Sequence, residues 1–340
     1  MNHAFATSFA VLAVTSAGLA ACSSDPGEPS TTSSGTSGAG GNPTTSATAG
    51  STTGSTSDAS ATSTGVGGSS TAACTQTMFG DDRPVSLHVP KSYSCDKGAP
   101  LVIMLHGYTA SSQTEELYLN ITAESEKRGF LYAHPDGTKD AMGSPFWNAT
   151  DACCNLYGST IDDSAYLTKL IKDIQVAYHV DPKRVYLFGH SNGAFMSYRM
   201  ACEHGDLIAG IASLAGAMYT DVAKCPAANA VSLLEIHGTA DSVIAYNGGS
   251  IGANTYPGAT TSVGDWVTID KCSPTADTTA APIDIETSLA GDETHITSYA
   301  GCTGGTAVSL WTIQGGSHIP SFAPTFIPKA MDFLYAHPKP

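Results

Sequence analysis

The pentapeptide Gly189-His190-Ser191-Asn192-Gly193 follows directly on the strand-like run Arg184-Val185-Tyr186-Leu187-Phe188. The chain must therefore leave an extended segment on a serine with glycine two residues to either side. Glycine permits the sharp strand-to-helix turn that side chains at those positions would block, and the turn lifts the serine hydroxyl above the sheet edge. A nucleophile elbow of this kind constrains the chain to a sheet with helices following its strands. It points to attack on a carbonyl and predicts, further along the chain, an acid and then a histidine.

Apolar runs bounded by turn residues predict buried strands over 101–105, 130–133, 184–188, 210–214 and 231–236. The clearest helix is predicted over 163–178. Leu167, Leu170, Ile171, Ile174 and Tyr178 recur there at three- and four-residue steps, acidic Asp162 and Asp163 sit at the N-terminus, and Asp181-Pro182 follows as a breaker. Strands alternating with helices imply a mainly parallel sheet covered on both faces, with a site beyond the strands' carboxyl ends.

The acid is expected in a loop after a later strand. The run 231–236 leads through His237-Gly238-Thr239-Ala240 to Asp241, which is better placed than Glu235 inside the strand. The base should come last. His318 follows the strand-like run 307–313 and lies in Gly315-Gly316-Ser317-His318, whereas His190 is inside the elbow, His237 precedes the acid and His337 is in the tail. Oxyanion donors are expected from the Asn192 amide, directly after the nucleophile, and from the loop Leu105-His106-Gly107-Tyr108-Thr109, through Tyr108 or Thr109. Thr109 is also a candidate substrate contact.

Composition divides the chain. Residues 4–21 are rich in Ala, Val and Leu and end in Leu19-Ala20-Ala21-Cys22, which resembles a bacterial lipobox; the resemblance implies cleavage before Cys22 and lipidation of its thiol. The preceding Met1-Asn2-His3 lacks the usual basic residue, so simple secretion is the other reading. Residues 22–73 are dominated by Ser, Thr, Gly, Ala and Pro and cannot bury enough apolar surface to fold. As a flexible coil this linker would span about 40 Å on average. Residues 74–340 suffice for one large α/β domain. They hold all 15 Lys and Arg and all but three of the 30 acidic residues, a balance that argues against nucleic-acid binding.

Beyond Cys22 there are eight cysteines, an even number behind an export-like leader, which predicts disulfides. The expected pairs are Cys74 with Cys95 and Cys272 with Cys302, with Cys153 and Cys154 taking Cys202 and Cys225 in some order. Neither a C-x-x-C pair nor a helical His pair is present, so no metal is expected.

From about Ser86 onward the chain resembles the extracellular esterases of the α/β-hydrolase fold that include polyhydroxybutyrate depolymerases, feruloyl esterases and acetyl xylan esterases. The resemblance rests on Leu105-His106-Gly107-Tyr108, Trp147-Asn148 with Cys153-Cys154, Asp162-Asp163, Gly189 to Ala194, His237-Gly238-Thr239-Ala240-Asp241 and Gly315-Gly316-Ser317-His318. It implies a single α/β-hydrolase catalytic domain and a Ser191, Asp241, His318 triad that cleaves carboxylic esters without metal or organic cofactor. It also implies that Trp147 lies near the substrate cleft. Members often carry a tryptophan shortly after the histidine; here Ile319-Pro320-Ser321-Phe322 follows instead. The expected partner is a polymeric or small ester, met by a secreted or surface-held monomer whose only membrane contact is a lipid on Cys22. A serine peptidase and a non-catalytic binding module are the rival readings.

Overall fold

A computed structural model describes residues 74–226 and 229–340; the expected leader, linker and Cys22 lie outside the described residues. The elements in chain order are β1 (Met78–Phe79), β2 (Val85–His88), β3 (Ala99–Leu105), α1 (Ser112–Leu119), α2 (Ile121–Arg128), β4 (Leu131–Ala133), β5 (Thr138–Lys139), β6 (Pro145–Phe146), α3 (Asp163–Ala177), β7 (Val180–His190), α4 (Asn192–Glu203), β8 (Gly210–Leu214), β9 (Ser232–Gly238), β10 (Gly248–Ile251), β11 (Asn254–Pro257), α5 (Ala259–Ile269), β12 (Thr294–Tyr299), β13 (Val308–Ile313) and α6 (Phe326–Ala336).

Nine strands form one sheet in the order β1-β2-β4-β3-β7-β8-β9-β13-β12. The inner strands run parallel, while β2 on β4 and β12 on β13 close the two sides antiparallel. Alternation along the strands builds two cores. Leu101, Ile103, Leu105, Val185 and Leu187 face α3, α4 and α5, whose Leu170, Phe195 and Trp266 pack on them. Val102, Met104, Tyr186 and Phe188 face the other way, onto Leu119, Ile121 and the α6 residues Phe326, Ala330 and Leu334. Strands buried on both faces read as continuous apolar runs, which is why they are conspicuous in the sequence.

The predicted helix over 163–178 forms as α3, capped by the Asp162 side chain on the Ala165 amide, and ends at Ala177. Asp181-Pro182 falls inside β7, where the pairing with β3 shifts register between Ala99↔Val180 and Leu101↔Val185. An irregularity of this kind accommodates a proline that donates no ladder bond.

Four disulfides join Cys74 to Cys95, Cys153 to Cys154, Cys202 to Cys225 and Cys272 to Cys302. The expected crossing of Cys153 and Cys154 with Cys202 and Cys225 is corrected. Cys153 sits 3.6 Å from the Asn192 side chain at the start of α4, whereas Cys202 lies ten residues on, about 15 Å along a helix. Cys202 is bridged instead by Cys225, with their Cα atoms 4.8 Å apart.

Candidate active site

Ser191 stands between β7 and α4 with φ 53° and ψ −120°, a strained conformation for a residue with a side chain. A β-carbon on Gly189 would collide with the Gly193 carbonyl, and one on Gly193 with the Leu105 carbonyl at the end of β3. The two glycines thus let the elbow close and press it against the strand that leads into the Tyr108 loop. The Ser191 amide is held by the Leu214 carbonyl at 2.8 Å, and the residue is 8% exposed.

The ends of β9 and β13 bring the other two candidates together. Gly238 and Gly316 cross so closely that a β-carbon on Gly238 would meet the Gly316 carbonyl, and the Ala240 amide donates to that same carbonyl at 2.9 Å. Asp241 follows the first crossing point and His318 the second. His318 Nδ1 donates to Asp241 Oδ2 at 2.7 Å, leaving Nε2 to accept from the Ser191 hydroxyl at 3.0 Å. Asp241 Oδ1 accepts from the Val243 and Ile244 amides at 2.8 and 2.9 Å. Burial pushes the Asp241 carboxyl up, but hydrogen bonds from His237, His318 and the Val243 amide outweigh it and hold the group well below its usual range.

Behind the acid lies a second histidine. His237 Nε2 is 2.8 Å from the Ile244 carbonyl and 3.4 Å from Asp241 Oδ2, and Nδ1 is 3.1 Å from Glu235 Oε1, whose other oxygen accepts from the Tyr198 hydroxyl. Burial lowers its pKa, yet Asp241 and Glu235 together push it up to about 9.

The amides of Tyr108 and Asn192, the expected oxyanion donors, have no protein acceptor among the described residues. The Thr109 amide donates to the Pro145 carbonyl at 2.9 Å, so of the two expected donors in that loop only Tyr108 keeps an amide without a protein acceptor among the described residues. The loop is braced: the His106 Nε2 accepts from Gly137, so Nδ1 donates to Gly107 at 2.8 Å, and the Tyr108 hydroxyl donates to Asp140 at 2.6 Å. Thr109 itself is exposed at the rim, with φ 67°.

Trp147 packs beside the site. It is fully buried, its indole N–H bonds the His106 carbonyl at 3.1 Å, and its backbone pairs with the Asn192 amide group at 2.6 and 2.9 Å. It braces the loop that follows β3 against the start of α4. Glu115, His190 and His237 are site neighbours that the sequence analysis did not single out as partners. Glu115 and His190 lie 75 positions apart, so no local spacing signals that pair. Among the described residues no cluster of His, Cys, Asp or Glu is gathered as a metal would need, and no helix is long and apolar enough to cross a membrane.

A mainly parallel sheet covered by helices, with a serine elbow and a histidine and acid delivered by later strand ends, defines the α/β-hydrolase fold. Comparison with known proteins agrees: an acetyl xylan esterase from Aspergillus awamori superposes with a TM-score of 0.54 over 76% of this chain and 98% of its own, at 15% identity. The chain belongs to the phospholipase/carboxylesterase family, whose model matches residues 93–273. It is 30% identical to feruloyl esterase B of Piromyces equi over 69% of this chain and 42% of that protein. It is 28% identical to poly(3-hydroxyalkanoate) depolymerase C of Paucimonas lemoignei over 45% of this chain and 37% of that one. The chain thus spans less than half the length of these two relatives.

Proposed function

We propose that the protein is an exported serine esterase that cleaves carboxylic esters through Ser191, His318 and Asp241, without metal or organic cofactor. His318 Nε2 takes the Ser191 proton as the oxygen attacks the ester carbonyl, and Asp241 holds the imidazole in the right tautomer and offsets its charge. The Tyr108 and Asn192 amides receive the oxyanion. His318 then protonates the departing alcohol; water, deprotonated by the same imidazole, attacks the acyl-enzyme and releases the acid. The observation that carries this reading is the unbroken path from Asp241 through His318 to Ser191, 2.7 and 3.0 Å, beside two amides that have no protein acceptor among the described residues.

The proposed substrate is an ester within a polymer: feruloyl or acetyl groups on plant polysaccharide, or an aliphatic polyester. Support comes from the relatives' named substrates and from exposed Val243 and Ile319, which follow the acid and the base and offer apolar surface for an acyl group. Export is supported by the leader-like residues 4–21 and by four disulfides, which persist in oxidising compartments. In the direct test, purified protein hydrolyses short-chain nitrophenyl esters and Ser191→Ala does not; equal rates for the two would end the proposal. A matched nitroanilide cleaved as readily as the ester would replace it with a peptidase. Relative release of ferulate, acetate and hydroxybutyrate identifies the ester.

A further inference from the structure

One buried side chain bridges α1 and the His318 loop without being part of the path that moves the proton. His190, the residue before Ser191, is 5% exposed. Its Nδ1 lies 2.9 Å from Glu115 Oε1 in the first turn of α1, and its Nε2 lies 3.1 Å from the main-chain carbonyl of His318. The other Glu115 oxygen accepts from the Gly107 amide at 3.3 Å, next to Tyr108. One turn along α1, Tyr118 packs on the His190 ring with centroids 5.7 Å apart, and its hydroxyl donates to the Pro320 carbonyl at 2.7 Å.

A carbonyl and an ionised carboxylate both accept and neither donates, so a ring bonded to both must carry a proton on each nitrogen. We infer that His190 is a positioning residue, held as an imidazolium by Glu115, and that this buried pair ties the oxyanion loop, the serine elbow and the His318 loop into one rigid unit. The inference rests on the reading of Ser191 as nucleophile.

The balance of forces agrees with the geometry. Burial works against charge on both groups, but the bond and attraction between them raise His190 and, with the Gly107 amide, lower Glu115. The groups facing His190 are Glu115 and Tyr118 from α1 and His318 from the base loop, whose ring centroid is 5.2 Å away; Asp241 adds attraction from farther off. A neutral histidine would leave one acceptor against a lone pair. Glutamine would offer a single amide nitrogen and leave the Glu115 charge buried without a cation, which is costly in a dry site.

Holding three loops to within fractions of an ångström is where such a unit would act on rate, because misplacement by about 1 Å costs on the order of 100-fold. His190→Gln and Glu115→Gln are each expected to lower kcat on the order of 10- to 100-fold with little change in KM, the pattern of an interaction needed only in the transition state. Combining the two should cost little more than either alone, since both break the same unit. Neutron diffraction from the wild-type protein near neutral pH should show deuterium on both ring nitrogens of His190. A single ring deuteron, a kcat in both variants equal to wild type, or additive losses in the pair would overturn the inference. Its failure is separable from that of the esterase reading, because full activity in Ser191→Ala would sink the latter and leave the neutron result untouched.

Discussion

Gly193→Ala probes the closest approach in the site. An alanine β-carbon there would fall well inside 3.0 Å of the Leu105 carbonyl oxygen and carbon, and 2.8 Å from the His106 oxygen, separations that real β-carbons do not show. All three obstacles are backbone, so no side chain can swing aside. The end of β3 and the start of α4 must part by about 1 Å, which forces strain on a packed core of about 3 kcal/mol, the upper part of the range for overpacking. For a domain of this size that lowers Tm by about 5–10 °C. The catalytic effect should exceed the stability effect. The Leu105 strand leads to the Tyr108 amide and α4 carries the Asn192 amide, so the gap opens between the two proposed oxyanion donors, and kcat should fall on the order of 100-fold. The control is Gly264→Ala in α5, an exposed helical position where an added β-carbon meets nothing within 4 Å. It should raise stability by ~0.5–1 kcal/mol and leave turnover unchanged. Thermal melts and nitrophenyl ester kinetics on the two variants decide the matter. A Gly193→Ala protein that melts and turns over like wild type refutes the idea that this contact holds the donors in place.

Asp241→Asn should keep the fold but lower kcat by on the order of 10³–10⁴, since an amide favours the wrong tautomer of His318; a loss below tenfold in steady-state assays contradicts the assigned role. His237 makes stability depend on alkaline pH. Its folded pKa is raised from 6.5 to about 9, so its contribution is complete below pH 6.5 and is lost as pH rises through about 9. The full effect is up to roughly 3 kcal/mol, and urea denaturation across that window should fall more steeply for wild type than for His237→Gln; parallel curves would disprove the coupling. Removing the bridge between Cys272 and Cys302 by paired serine substitution, the partners being 30 positions apart, should cost ~3.5 kcal/mol, and a melting point within 2 °C or so of wild type would contradict that loop-closure account.

Much of the fold is written locally. The runs at 101–105, 184–188 and 210–214 sit within observed strands because central parallel strands are apolar on both faces, and α3 declares itself by its stripe and its Asp162 cap. The acid strand begins and ends later than expected, and His237-Gly238 belongs to it, because the run of apolar residues stops before the backbone ladder does. The antiparallel edge β12, half-buried over most of its length, lacks the continuous apolar pattern and left no comparable signal. Trp147 shows the opposite limit: a motif residue whose position is plain in sequence, yet whose ring could face either cleft or core until Asn192 and His106 are seen to take its polar groups.

Chain order and local turn chemistry were determined by the sequence itself: a serine between glycines after a strand, then Asp241, then His318 in a glycine-rich loop. Those are properties of neighbouring residues, and backbone sterics read them directly. Which cysteines meet, which of Tyr108 and Thr109 keeps a free amide, and that His190 finds Glu115 while His237 backs Asp241 were decided only by tertiary structure. Such pairings join residues up to 75 positions apart, and they form because buried polar groups must find partners once water is excluded, a requirement that has no counterpart in an extended chain.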